Sequence, residues 1–323
     1  MARPHAPRTR VSSYLSDWMP TGDTTYQRNG YTFRGTSSAG LVSDIEKLSL
    51  PSEVKSTLVA TLTFGTSGNY PSGFSNSGIA GYATGGNQSS FFKITYSTDA
   101  KTTLSGATLT NSTYDTTSFA NSGVAGYTSG GQNPAPPYNF YDNIDKLTFS
   151  TEVKSTLSAT LTSGRYQHAG MANSGTAGYF GGGNDAGGKL DAIDKIAFPA
   201  DTKSTLSAVL TAQTNLLSAM ADSGVAGYFC GGDDASKTDR IDKITFPADT
   251  KSTLSATLSA ARSGTTAYAD TGIAGYVVGG LEAARVTTMN RISFPATEAR
   301  STLSAVLSTA QNQQGSFADC GVF

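Results

Sequence analysis

Three acids occupy the same place in repeated segments, the second residue after a glycine pair: Asp185, Asp234 and Glu282. Gln88, Asn133 and Ser37 hold that place in the other copies. Carboxylates gathered from neighbouring segments would suit a cation or sugar hydroxyls. A pair such as Asp185 and Asp234 could also flank a glycosidic bond as acid and base. The plainer alternative is that each acid closes its own Gly-Asx turn and points into water. A second candidate is the aromatic and proline-rich stretch "QNPAPPYNFYDN", whose Tyr138, Phe140 and Tyr141 either form a stacking platform or fold back onto the insertion itself.

Other chemistries find little here. The chain has 2 histidines, His5 and His168, too few for a His-rich metal centre. Of these, His168 beside Arg165 and Tyr166 reads as ordinary strand and loop chemistry. Its 2 cysteines, Cys230 and Cys320, make neither a C-x-x-C pair nor a disulfide framework and read as free thiols. No G-x-S-x-G elbow, P-loop or H-E-x-x-H element occurs. No catalytic residue, cofactor or metal is therefore expected, and the chain is read as a non-enzyme.

The elements that would position such residues are strands. Charged residues are only 15% of the chain, against about 25% in ordinary globular proteins, and 36 glycines accompany abundant Ser and Thr. That mixture favours short strands and tight turns over long helices. A formal net charge of −1 gives no general attraction to nucleic acid or to an anionic membrane, and neither is expected as a partner. The opening "MARPHAPRTRVSSYLSDWMP" lacks the apolar core of a signal peptide, and no run of about 18 apolar residues could span a membrane. Synthesis in a cytoplasm is expected.

Repeats organise everything else. Gly-Tyr followed by paired glycines recurs as "AGYATGG", "AGYTSGG", "AGYFGGG", "AGYFCGG" and "AGYVVGG", after a degenerate "GYTFRG". The tyrosines are Tyr31, Tyr82, Tyr127, Tyr179, Tyr228 and Tyr276, a period that fits one four-stranded blade. In the fourth unit, "QHAGMAN" and "TAGYFGG" read as strands joined by a Ser-Gly turn. A variable loop, the strand "AIDKIAF", a Pro-x-Asp corner and a phrase of the type "ADTKSTLSATL" follow.

This order resembles the Kelch repeat from about Gly30 to Phe323, with the glycine pair after an aromatic as its clearest mark. Arg165 and Arg262 match the basic residue that precedes the family's first strand. The family's fourth-strand Trp is absent, with Leu157, Leu206 or Leu254 in its place. The resemblance implies a β-propeller of four-stranded blades. Some Kelch proteins are copper oxidases, but their His and Tyr ligand cluster has no counterpart here.

The chain ends predict how the ring closes. "SFADCGVF" aligns with "SFANSGVAGY", setting Phe317 on Phe119, and Gly30-Tyr31 resumes at the next element by matching Gly126-Tyr127. The first blade is thus expected to be split, residues 30–64 plus 315–323. The fold read from the sequence is all-β: a six-bladed Kelch-like propeller over 30–323, closed by the C-terminal strand, with an extended N-terminal arm over 1–29.

Two faces are then distinguishable. First-to-second and third-to-fourth turns are nearly uniform ("NSG", "DSG", "DTG", Pro-x-Asp), whereas the second-to-third loops vary in length and chemistry, as binding loops do. Each copy of the recurring phrase holds an acid-x-base pair: Glu53/Lys55, Asp99/Lys101, Glu152/Lys154, Asp201/Lys203, Asp249/Lys251 and Glu298/Arg300. On a strand such residues share a face, so each is read as a local ion pair guarding an outer edge.

The arm carries Arg3, Arg8 and Arg10, then Tyr14, Leu15, Trp18 and Met19 as a compact apolar anchor. Too short to bury surface against itself, it is expected to pack on a neighbouring subunit or on its own propeller. Near-identical Ser/Thr/Gly/Ala-rich units with a docking tail are similar in style to virion structural proteins of tailed bacteriophages. The resemblance implies attachment to other virion proteins in a multi-subunit assembly, with outer loops facing a host-surface glycan or receptor. A free lectin-like propeller and an intracellular Kelch-type adaptor are the alternatives.

Overall fold

The structure is a computed structural model that describes residues 28–64, 70–133, 135–295 and 297–320. Among them there is no helix. Six four-stranded antiparallel sheets form the blades of a propeller. Blade 4, for example, runs Ala169–Asn173, Ala177–Gly181, Ile193–Ala197 and Thr202–Thr205 from the axis outward. Blade 1 is split as expected: the innermost strand Gly315–Ala318 pairs with Arg28–Phe33, with Gly30 opposite Ala318 and Phe33 opposite Gly315. Its second strand starts at Arg28, two residues earlier than the sequence boundary, so Arg28 and Asn29 belong to the blade. The rest of the arm, with Arg3, Arg8, Arg10, Tyr14, Leu15, Trp18 and Met19, lies outside the described residues, as do Gly321 to Phe323.

Burial follows from the stacking of blades. The inner two strands of blades 3 to 6 are buried almost throughout, because each sheet is covered on both faces. The fourth strands, such as Thr202–Thr205, are largely exposed edges.

The Gly-Tyr dipeptide has a double role in this stacking. Its glycine lets the large inner-strand residue of the preceding blade come in: a Cβ on Gly126 would lie 2.0 Å from Phe74, one on Gly178 2.1 Å from Phe119, and one on Gly30 2.0 Å from Tyr268. Met171 and Met220 fill the same place against Gly227 and Gly275. The tyrosine hydroxyl reaches forward to the acid of the recurring phrase on the following blade. Tyr127 donates to Asp201 (2.7 Å), Tyr179 to Asp249 (2.8 Å) and Tyr228 to Glu298 (2.6 Å). The third-strand base beside each tyrosine binds the same carboxylate, as in Lys146–Asp201 (2.6 Å), Lys195–Asp249 (2.5 Å) and Lys243–Glu298 (2.6 Å). Asp99, Glu152 and Glu53 complete the set with Lys47, Lys93 and Arg291.

The local acid-x-base pair is therefore corrected. The six acids sit before the strand, in left-handed backbone with φ between 45° and 56°. That turns their side chains to the neighbouring blade. The bases go elsewhere: Lys154, Lys203 and Lys251 meet Asp145 (3.2 Å), Asp194 (3.2 Å) and Asp242 (3.3 Å) on the third strand of their own blade. The phrase clasps blades together rather than guarding an edge alone.

Arg165 and Arg262 are wholly buried inside their blades. Arg165 pairs with Asp194 and donates to the carbonyls of Gly182 (3.2 Å) and Ala192 (3.4 Å). Arg262 meets only neutral acceptors among its hydrogen bonds, Asn290 Oδ1 and the Gly279 carbonyl (3.3 Å). Both belong to the scaffold.

Candidate functional site: the mouth of the central channel

The two faces differ as their turns predict. On the uniform face the last inner-strand residue of one blade accepts from the turn glycine of the next. Gly123 N donates to Asn76 (3.1 Å), Gly175 N to Asn121 (2.8 Å), Gly224 N to Asn173 (2.9 Å) and Gly272 N to Asp222 (2.8 Å). At the seam Arg28 pairs with Asp270 at 3.0 Å. Outside this ring, the residue after each turn glycine is β-branched, and Ile79, Val124 and Val225 are exposed, 56%, 49% and 39%. Val54 and Val153, the first residues of their fourth strands, add 62% and 58% on the same face.

The opposite face holds the variable loops and, at its centre, the mouth of the channel. One residue per blade, four before the large inner-strand side chain, forms a ring there: Tyr70, Asp115, Gln167, Leu216, Gly264 and Gln313. All six have positive φ, from 56° to 65°. That conformation lets the backbone join blade to blade. Gln167 N donates to Asp115 O, Leu216 N to Gln167 O, Gly264 N to Leu216 O, Gln313 N to Gly264 O and Tyr70 N to Gln313 O, at 2.7 to 3.2 Å. Among the described residues, no such bond links Asp115 N to Tyr70 O. The ring is open at one seam.

A cavity of about 90 Å³ lies inside the mouth. Its wall is hydroxyl-rich, with Ser72, Ser118, Ser218 and Thr265 bonded across blades. A directed chain of amides runs toward Asp115: Asn215 Nδ2 donates to Gln167 Oε1 (2.9 Å), Gln167 Nε2 to Asp115 Oδ2 (3.3 Å) and Gln132 Nε2 to the same oxygen (2.9 Å). Burial raises the Asp115 carboxyl to about 8, and the two amides only partly oppose it. His168, also on the wall, bonds Ser129 Oγ through Nε2 (2.9 Å) and is kept neutral at physiological pH by burial.

The residues singled out in the sequence sit further out on this face. Asp185 closes a small ribbon, Asn184–Asp185 with Gly188–Lys189, by accepting from Gly187 N at 2.7 Å. Asp234 accepts from Ala235 N (2.6 Å) and from Arg240 Nη1 (3.0 Å). Burial pulls its carboxyl up, but the two amides of its turn and Arg240 outweigh that and hold it below the usual range. The backbone of Glu282 makes the equivalent turn, its N–H donating to Ala284 O. The carboxylates of Asp185 and Asp234 are thus tied to their own loops, and among the described residues no three His, Cys, Asp or Glu side chains are placed to hold a metal ion. The aromatic insertion divides: Phe140 stacks on Tyr166 with centroids 4.8 Å apart, Tyr138 is exposed and Tyr141 is half-buried.

Sequence reasoning missed Asp115, Gln132 and Gln167. No repeat signal marked them: the position four before Phe74, Phe119, Met171, Met220, Tyr268 and Phe317 is Tyr, Asp, Gln, Leu, Gly and Gln in turn, and the residues next to it vary as much. The fold and its two unlike faces define a six-bladed β-propeller with a polar channel mouth. No protein-family model matches the chain, and no curated protein is similar to it in sequence.

Proposed function

We propose that this propeller is a non-enzymatic assembly module: it docks through its uniform-turn face and the segment that enters there, and it presents the variable loops outward. The observation that carries this reading is the exposed β-branched set repeated on the uniform-turn face, Ile79, Val124 and Val225 with Val54 and Val153. Apolar side chains repeated on one flat face are more than a scatter of single exposed residues. The chain joins the ring at that same face, through Arg28. The glycine pairs and buried arginines are similar to those of Kelch propellers, and the style of repeat is similar to virion components of tailed bacteriophages. A tail- or capsid-attached virion protein is the setting proposed for the module, and other virion proteins are its docking partners.

A second reading, contact of the outer loops with a host-surface glycan, draws on exposed Tyr138 beside the Phe140–Tyr166 stack. Aromatic faces with polar neighbours suit sugar rings.

Docking is tested by Ile79→Ser, Val124→Ser and Val225→Ser combined. Because these side chains are exposed, stability should change by no more than about 1 kcal/mol in total. Incorporation into the parent particle should fall at least tenfold. Normal incorporation of the folded triple variant would defeat the docking reading.

A further inference from the structure

One carboxylate in the channel mouth has no opposite charge paired with it. Asp115 is 1% exposed, and among the described residues no Lys or Arg forms an ion pair with it. Both amide donors converge on Oδ2, while Oδ1, equally buried, has no hydrogen-bond partner. Gln167 cannot turn to help, since Asn215 fixes its Oε1 and so aims its Nε2 at Asp115. The open seam of the backbone ring, between Tyr70 and Asp115, lies at the same point. An unanswered acceptor beside a polar cavity calls for a ligand that brings donors or positive charge.

The dimensions and charge restrict what that ligand is. A space of about 90 Å³ exceeds what one water needs, roughly 10–15 Å³ on the same measure, so a cation can enter with part of its hydration shell. A single carboxylate among neutral amides and hydroxyls balances one positive charge, whereas divalent sites collect several carboxylates. We propose that the mouth of the channel binds one compact monovalent cation at Asp115, either an alkali ion or a primary ammonium group.

Protons compete for the same oxygen. Among the described residues the other ionisable groups facing this point are the phenols of Tyr70 and Tyr114, with Tyr166 beside both, Tyr138 beside Tyr114, and Arg285, bonded to Asn312, beside Tyr70. Burial pushes Tyr70 and Tyr114 upward and His168 downward, so between pH 7 and 9 the titration here is that of Asp115, near 8. By linkage, cation affinity should be about tenfold weaker at pH 7 than at pH 9.

The test is thermal unfolding of the full chain at constant ionic strength, with potassium, sodium, ammonium or methylammonium chloride replacing N-methylglucamine chloride at pH 7, 8 and 9. A rise in Tm that grows with the logarithm of cation concentration above Kd, sets in at about tenfold higher concentration at pH 7 than at pH 9, and is absent in Asp115→Asn is expected. Such a rise with alkali ions would assign an inorganic ion, and a rise with the ammonium salts alone would assign an amine. Equal Tm in every salt, a pH-independent response, or an unchanged response in Asp115→Asn would overturn the proposal. If Asp115→Asn does not fold, the salt and pH series on the unaltered chain decides by itself.

Discussion

Replacing Arg165 with Met should lower the unfolding temperature by on the order of 10 °C at neutral pH, because it removes the buried partner of a buried carboxylate and leaves Asp194 with the partly exposed Lys203 as its charged contact. Arg165 and Asp194 are both fully buried and paired. Removing one partner of such a pair typically costs about 3–5 kcal/mol. Burial tends to raise the Asp194 carboxyl, but Arg165 together with the hydroxyls of Thr162 and Thr205 holds it below its ordinary value. A depressed acid adds stability that is present above the unfolded pKa, about 4, and is lost as pH falls through the folded one. The Met variant loses that contribution, so its deficit should be largest near pH 7 and should shrink below about pH 4. Arg262 supplies the control. Its partner Asn290 is neutral, so the deficit of Arg262→Met should be smaller and flat over the same pH window. Urea titrations of the two variants between pH 3 and 7 would separate them, and parallel pH profiles would contradict the charge argument.

Gly126→Ala should be nearly as damaging for a different reason. The added methyl would fall 2.0 Å from the Phe74 ring. That ring cannot step aside, being stacked on Tyr82 (5.4 Å) and Phe149 (6.1 Å) and met edge-on by Phe91 (6.2 Å). Overpacking of this kind costs about 1–3 kcal/mol, and more where neighbours are rigid. Gly227→Ala should cost less, because the residue met there is Met171, an unbranched chain that adjusts its rotamers. Shrinking the knob should recover stability: Phe74→Leu with Gly126→Ala should be less destabilised than the sum of the single changes. Denaturant midpoints for the four proteins measure the coupling directly, and additivity would refute the knob-and-glycine account.

The blades were legible because their determinants are local. The Ser-Gly turn, the Gly-Tyr strand and the glycine pair each act within a few residues, so six copies announce six blades. Even the seam could be read, since Phe317 repeats the setting of Phe119. What stayed hidden were contacts made by ring closure. Asp201 and Lys203 are two apart in sequence, yet Asp201 binds Tyr127 and Lys146 of the preceding blade. The left-handed backbone at Asp201, φ 53°, sends the side chain there, and no strand periodicity reveals that. The mouth was hidden for the same reason. Asp115 meets Gln167 only because consecutive blades bring their first residues to one axis. Asp185 and Asp234 drew attention because they are conspicuous after the glycines, but a carboxylate tied to its own turn amides has few free acceptor sites left.

The clasps and the axial rings make the body of the propeller rigid, which leaves its two faces to carry any function. A rigid platform suits docking, since little conformational entropy is lost when it binds. The most direct test is a view, by electron cryomicroscopy, of the full chain in the virion to which the proposed function assigns it. The account predicts that the face bearing Ile79, Val124 and Val225 is covered by a neighbouring subunit, with Tyr138 and the variable loops turned outward. A particle in which that face is bare and the variable-loop face is buried would contradict it.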